Sequence, residues 1–539
     1  MWEQHYTPIA GSLGFSALVA ALPIFALLLL LGVLRKPAWM AALSGLGAAV
    51  LVAVLGYGMP GGTTLSAVGY GAAFGLFPIG WVVFNAILLY RVTVDTGKFE
   101  IVKDSVASLT EDRRLQALLI AFAFGAFIEG AAGFGTPVAV AADMLTGLGF
   151  SPFYAAGICL LANTAPVAFG SIGTPILTLS KVTTLPLQDL SSAVGRICAP
   201  ISVIVPAYLI AVIAGGKGFR KVLPGVVVCG VSFALTQLLV SNLLGPELTD
   251  ILSSLAAMGA LVVLLRLWKP TDHFVLEGNH AAQVAPKRHS ASELLLAWAP
   301  YVLLVVFVLT WGLFKAQLGK TTISFAWPGL HERIMQVPPV VGKAAPYRAV
   351  YDFAWLAAPG TACLLAALLS AAWLRMSPAA FGRVFWKTCK QLALPELTIA
   401  SVLALAFLMN YCGATATLGL AFAATGALFP FFSSLLGWLG VFLTGSDTSA
   451  NALFGNLQKV TAGSLGFSPV LMAASNSSGG VMGKMISLQS IAVAAAATGM
   501  ARQEEARLFR FTLKHSIILA SAIGLVTCFY AYVAPQLAP

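Results

Sequence analysis

The sequence predicts an all-α polytopic membrane protein with about twelve transmembrane helices and two re-entrant hairpins in an inverted repeat. Three observations predict it. Of the 539 residues, 59% are hydrophobic and only 9% charged, against roughly 25% charged in a soluble domain. Apolar runs of about 20 residues, each able to cross a ~30 Å hydrocarbon layer, recur along the whole chain. Two broken apolar stretches, 315 residues apart, match one another in residues and in setting.

Spans are expected at 14–34, 37–57, 64–90, 151–180, 197–214, 222–244, 248–266, 293–317, 353–374, 393–411, 470–499 and 515–536. The opening "MWEQHYTPIAGS" lacks a basic n-region and the first apolar run exceeds a signal-peptide core, so that run reads as a retained span. The net charge of +11 could suggest nucleic acid, but the basic residues cluster in short loops between apolar runs. That is the pattern of membrane orientation, so lipid is the expected partner and nucleic acid is not. Twenty-two of the 31 Lys and Arg fall in six groups, at 35–36, 91–114, 217–221, 266–288, 375–390 and 502–514. All six share one side if the N-terminus starts outside. The positive-inside rule makes that side the cytoplasm and both termini external. Five basic residues between Lys315 and Arg348 lie outside, in a loop long enough to relax the rule.

This orientation requires residues 114–147 to enter from the cytoplasm and return to it, and 434–464 to do the same from outside. Both segments are apolar yet interrupted by Gly and small polar residues. Irregular backbone survives at membrane depth only where protein or a water-filled cavity satisfies it, so both read as re-entrant hairpins. The halves repeat internally. "GAFIEGAAGFGTPVA" (125–139) parallels "GVFLTGSDTSANALF" (440–454), "LGFSP" recurs at 148–152 and 465–469, and "LANTAPVAFGS" (161–171) parallels "AASNSSGGVMGK" (473–484). The expected organisation is a first repeat over 1–221, a linking helix pair and cytoplasmic loop over 222–292, and a second repeat over 293–539. Inverted repeats with broken segments near the midplane are the architecture of secondary transporters.

An ionisable side chain inside the membrane costs at least ~2.5–3.5 kcal/mol and marks function by default. The deep set is Glu129, Asp143, Glu396, Asp447 and Lys484, with Lys459 and His515 nearer the edges. Glu129 and Asp447 stand at matching hairpin breaks, as proton carriers, substrate contacts or caps of exposed N–H groups. Low dielectric penalises the charged form of a carboxyl, which lets such a group load and unload a proton near neutral pH. Asp143, further along the return arm, is a third coupling residue and a weaker one. Lys484 either pairs with a substrate carboxylate or partners Asp447. Glu396, after Pro395, reads as a helix cap, and His515 as interfacial. The uncharged clusters supply the remaining contacts: Thr444, Gly445, Ser446, Thr448 and Asn451; Asn163 and Thr164; Asn476, Ser477 and Ser478; and Gln489. With Gly130, Gly133 and Thr136 of the first hairpin, they suit a small hydroxylated carboxylate, which gains from the positive end of a half-helix. The bland reading of scattered Ser and Thr is helix-to-helix glue.

Other chemistry is not evident. There is no GxxxxGK[ST] phosphate loop, HExxH or GxSxG, and no cofactor is expected. The seven cysteines form no CxxC pair and read as small core hydrophobes, with no metal site. Residues 91–114, with five basic and five acidic side chains, read as an interfacial helix, and 267–292, with three His, as a cytoplasmic loop.

"FGAFIEGAAGFGTPVA", "NTAPVAFGSIG", "GWLGVFLTGSDTSANALF", "SGGVMGKMISLQSIA" and "FRFTLKHS" closely resemble the bacterial L-lactate permease family, which includes glycolate permeases. The resemblance covers the whole chain, including "GPELTDILSSL" (245–255). It implies proton symport of lactate and related 2-hydroxy monocarboxylates, and a scaffold that often forms homodimers. It also implies a distant likeness to the ion-transporter superfamily, in which opposed hairpins carry substrate by an elevator motion. It puts the hairpin tips at Glu129–Gly130 and at Gly445, Ser446 and Asp447. The expected function is therefore proton-coupled uptake of L-lactate, with D-lactate and glycolate as further substrates. A sodium-coupled anion carrier is the alternative, because "ANT" and "SNSS" are rich in sodium-type oxygen ligands. An intramembrane enzyme or receptor would need a nucleophile–base pair or a signalling domain, and the sequence offers neither.

Overall fold

The computed structural model describes residues 1–133, 135–270, 272, 274, 287 and 289–537, and the side chains of all of these except Lys315, Arg502 and Gln503. Most of the expected 267–292 loop lies outside the described residues.

Each of the twelve expected spans finds a helical counterpart. The first, Leu13–Val33, shows why the solvent is lipid: Phe15, Leu18, Leu22, Phe25 and Leu29 recur at helical spacing on one fully apolar, exposed face, while Ser16, Ala20, Ile24 and Leu27 are buried on the other. Gly61–Asp95 bends at Phe77, whose extended backbone (φ −143°, ψ 123°) is what a following proline favours. Two spans are broken outright. Pro152–Ala162 meets Val167–Thr183 at 66°, and Pro469–Ile486 meets Leu488–Thr498 at 43°.

The two expected hairpins are helix pairs. In the first, the arm Arg113–Ala131 is followed by a turn and a return helix, Thr136–Gly147. In the second, Phe429–Thr444 turns into Asp447–Leu465. Across its most apolar stretch the first arm is wholly buried, whereas only 28% of the matching stretch of Leu13–Val33 is. That arm is therefore wrapped in protein, the condition under which a broken segment is tolerated at depth. The pieces interlock. Leu488–Thr498 packs on the first hairpin's return helix, and Gly170–Thr183 packs on the second hairpin's Asp447–Leu465. The long helix Pro378–Cys412 packs on Ala38–Leu51, Gly61–Phe74 and Trp81–Asp95 to form the other side of the molecule.

Several details depart from the sequence reading. The first tip lies beyond Glu129–Gly130, because the chain needs left-handed backbone to reverse and finds it at Gly133 (φ +62°) and Gly135 (φ +80°). Glu396 is no helix cap: it sits within the unbroken Pro378–Cys412 and packs against Gly80. His515 is not interfacial: it lies inside Arg502–Cys528, buried, with Nδ1 2.6 Å from the Tyr208 hydroxyl. The helix Ala414–Phe422, after the Gly413 turn, was not expected. Nor were two small sheets in the long loop. Trp2–Glu3 joins Ile334–Gln336 and Ala345–Pro346 in one, and Ile323–Ala326 pairs antiparallel with Val350–Phe353 in the other. The stretch 91–114, expected as one interfacial helix, is divided: 91–95 continue Gly61–Asp95, Lys98–Ala107 is a helix of its own with Phe99, Val102 and Val106 buried, and Arg113 opens the first arm.

Candidate functional site

A cavity of about 340 Å³ lies between the hairpins and the long helix. Three helices begin at its wall: the return helix at Thr136, the second hairpin's helix at Asp447, and the helix at Leu488, which contributes Gln489 and Ser490. The positive ends of their helix dipoles give that wall a partial positive charge. Lys484, at the end of Pro469–Gly483, adds a full one. Glu129 and Asp447 face the same space.

Each carboxyl is held by a polar group from the broken span of its own half. Asn163 donates from Nδ2 to Glu129 Oε2 at 3.2 Å. Ser477 donates to Asp447 Oδ2 at 2.6 Å, and Asn451 to the same oxygen at 3.3 Å. Behind them Asn476 donates to Asn451 Oδ1 at 2.9 Å, and Gln458 donates to Asn476 Oδ1 at 3.1 Å. The second tip is built locally. Gly445 takes φ +72°, which reverses the chain, and the Ser446 hydroxyl caps the next helix by accepting from Ser449 N at 3.3 Å. The break of the first broken span is strained: Ser171 and Ile172 both take left-handed backbone (φ +46° and +57°), uncommon for residues other than glycine. Ser171 then bonds the Ala132 carbonyl at the first tip.

The structure gathers most of the expected site but divides it into two shells. Glu129, Thr136, Thr444, Gly445, Ser446, Asp447, Thr448, Lys484 and Gln489 line the cavity. Asn163, Asn451, Asn476 and Ser477 stand behind them as hydrogen-bonding supports. Thr164 bonds the carbonyl of Leu161 in its own helix, and Ser478 is buried away from the wall. Gly130 and Gly133 are not on the wall; one packs on Asp250 and the other on Ser171. Asp143 is not part of the site. Its side chain is 62% exposed, in an ion pair with Lys103 at 3.3 Å.

Sequence reasoning missed the opposite wall. Trp39, Gln391 and Thr398 carry no motif and come to the cavity only through tertiary packing. It also missed Asp250, a carboxyl at the start of Thr249–Leu267 that is 1% exposed and reaches the first hairpin.

The family model described as L-lactate permease matches residues 16–534. The chain belongs to the L-lactate permease family. An L-lactate permease of Bacillus subtilis (strain 168) is 48% identical, with 98% of each chain covered. An L-lactate permease of Escherichia coli (strain K12) is 45% identical over the whole of both chains. The glycolate permease GlcA of the same strain is 46% identical, covering 99% of this chain and 98% of its own. Among solved structures, the YdaH transporter of Alcanivorax borkumensis aligns over 88% of this chain and 89% of its own, at 14% identity and a TM-score of 0.46. This family member is a multi-pass membrane permease, a transporter and not an enzyme.

Proposed function

We propose that this permease takes up L-lactate, with D-lactate and glycolate, across the bacterial inner membrane by symport with protons. One observation carries the reading: a cavity sized for a small acid brings together an ammonium, three helix N-termini and two carboxyls. The ammonium and N-termini suit the substrate carboxylate, the hydroxyls of Thr444 and Ser446 suit its 2-hydroxyl, and Glu129 and Asp447 suit the proton. The relatives named lactate and glycolate permeases support the substrate class. Carriage of one lactate anion with one proton is electroneutral, so the cycle responds to a pH gradient and not to membrane potential.

The proposed organisation is the inverted repeat with segments 1–221, 222–292 and 293–539. The hairpins and broken spans would move together as the transport unit, against a scaffold that includes Pro378–Cys412 and pairs as a homodimer. The interlocked packing of hairpins with broken spans supports this. Both termini are assigned to the periplasm. On that orientation the cavity, which reaches Ala38 and Trp39 beside the basic 35–36 pair, faces the cytoplasm. A sodium-coupled cycle has one observation in its favour: Asp447 Oδ1 is buried without a partner, as a cation ligand would be.

The test uses reconstituted protein. Labelled-lactate counterflow against a panel of short 2-hydroxy acids reports substrate range. Glu129→Gln and Asp447→Asn are expected to keep counterflow and lose accumulation driven by a pH gradient. Normal accumulation in both variants would overturn the assignment of the proton to these carboxyls.

A further inference from the structure

Asp250 is unlike the other buried carboxyls of this permease. It is 1% exposed, and neither carboxyl oxygen has a hydrogen-bond partner. Its place in the first turn of Thr249–Leu267 suggests a capping role, but a cap accepts a backbone N–H and this one accepts none. Among the described residues no basic side chain pairs with it. An uncompensated carboxylate in such a place costs several kcal/mol, so the site calls for a bound cation, of which a proton is the smallest.

The surroundings say where that proton exchanges. Gly130 packs so closely that a Cβ there would lie 2.8 Å from the Asp250 Cβ and 3.0 Å from Ile251. The next residue back is Glu129, which lines the cavity while Asp250 does not. The other elements against Asp250 bring little charge. Leu187–Lys221 presents the buried Cys198 thiol, which also faces Asp447. Leu223–Leu243 and the arm segment Ala117–Phe124 carry no acidic or basic residue. Gly170–Thr183 carries only Lys181, whose ammonium lies over the Phe74 ring.

We propose that Asp250 is a proton-relay residue that exchanges a proton with Glu129 across the packed face of Gly130. Two buried carboxyls that feel each other's charge titrate as a pair. A proton taken up by Glu129 from the cavity, which brings the pair from two negative charges to one, passes to an Asp250 oxygen and leaves Glu129 as the carboxylate with the pair's charge unchanged. Asp250 touches neither cavity nor substrate and acts through Glu129. The proposal rests on the proton-symport reading.

The experiment measures lactate-coupled proton uptake and lactate counterflow, as functions of pH, on the full-length protein in sodium-free liposomes. For Asp250→Asn the ratio of proton uptake to counterflow is expected to fall roughly a hundredfold, within the range lost with a positioned acid–base group. Asp250→Glu is expected to restore the ratio with a displaced pH profile. A wild-type ratio and pH profile in Asp250→Asn would overturn the proposal. If that variant does not fold, Asp250→Glu decides: an unmoved pH profile overturns it and a displaced one supports it. Absence of lactate-coupled proton uptake in the wild type would remove the symport reading itself, an outcome distinct from loss of the Asp250 assignment alone.

Discussion

Gly437→Ala is the perturbation whose cost can be worked most directly. The second hairpin's first arm and the helix Pro469–Gly483 cross with backbone against backbone. A Cβ on Gly437 would lie 2.6 Å from the carbonyl carbon of Asn476, 2.9 Å from its Cα, and closer still to its carbonyl oxygen. Ordinary contact begins at 3.4 Å. Gly479 meets Ser434 in the same way, so neither helix can slide to make room. Overpacking costs ~1–3 kcal/mol where side chains can yield. Here the obstacle is backbone, and the disturbed Asn476 carbonyl adds about 1 kcal/mol. The expected loss on those two terms is therefore ~2–4 kcal/mol. Asn476 also supports Asn451 and, through it, Asp447, so transport should fall with stability. Gly463→Ala is the internal control. Nothing lies within 4 Å of a Cβ there, in the helix paired with the first arm, and Gly→Ala at an open helical site gains ~0.4–1 kcal/mol. Thermal unfolding in detergent, followed by size-exclusion of the surviving fraction, reads both. Gly437→Ala melting with the wild type, or Gly463→Ala falling as far, would refute the reasoning.

The other predictions concern single side chains. Lys484→Ala removes the ammonium proposed to meet the substrate carboxylate. A charged hydrogen bond is worth ~1.5–3 kcal/mol, so the KM for lactate uptake should rise roughly 10- to 100-fold. Arg114 is fully buried and donates to Asp112 Oδ2 at 2.6 Å and Asp272 Oδ1 at 2.8 Å, so Arg114→Met should cost about 3 kcal/mol in detergent unfolding. The Arg114 guanidinium holds the Asp272 carboxyl below its ordinary range. That contribution is complete above the unfolded value of ~3.9 and lost as pH falls through the lower folded value. The stability gap between wild type and Arg114→Met should thus stay level from neutral pH to about 5 and shrink only in stronger acid. Asp143→Asn should leave lactate uptake unchanged and stability within ~0.5 kcal/mol, because its ion pair is exposed.

What the sequence revealed follows from the physics of lipid. Charge is so costly at depth that Glu129, Asp447 and Lys484 stood out, and the structure places all three on one cavity. The spans were legible for the same reason. The first tip was misplaced because "EGAAGFG" offers several glycines, and only tertiary packing decides which ones turn left-handed. Glu396 and His515 were misjudged because helix ends were drawn where hydropathy fell, whereas both helices continue well past that point. Asp250 lay inside the expected 248–266 span, two residues from its start, and was not counted among the deep charges. Only its packing on Gly130 brings it to the hairpin. The wall formed by Trp39, Gln391 and Thr398 had no local signal at all.

The most direct measurement of the central claim is lactate uptake into sodium-free proteoliposomes under an imposed inward proton gradient, with membrane potential clamped at zero. The account predicts lactate accumulation and a matching entry of protons, both unchanged when a potential of either sign is imposed. Uptake that requires sodium, or that follows the potential and ignores the proton gradient, would contradict it.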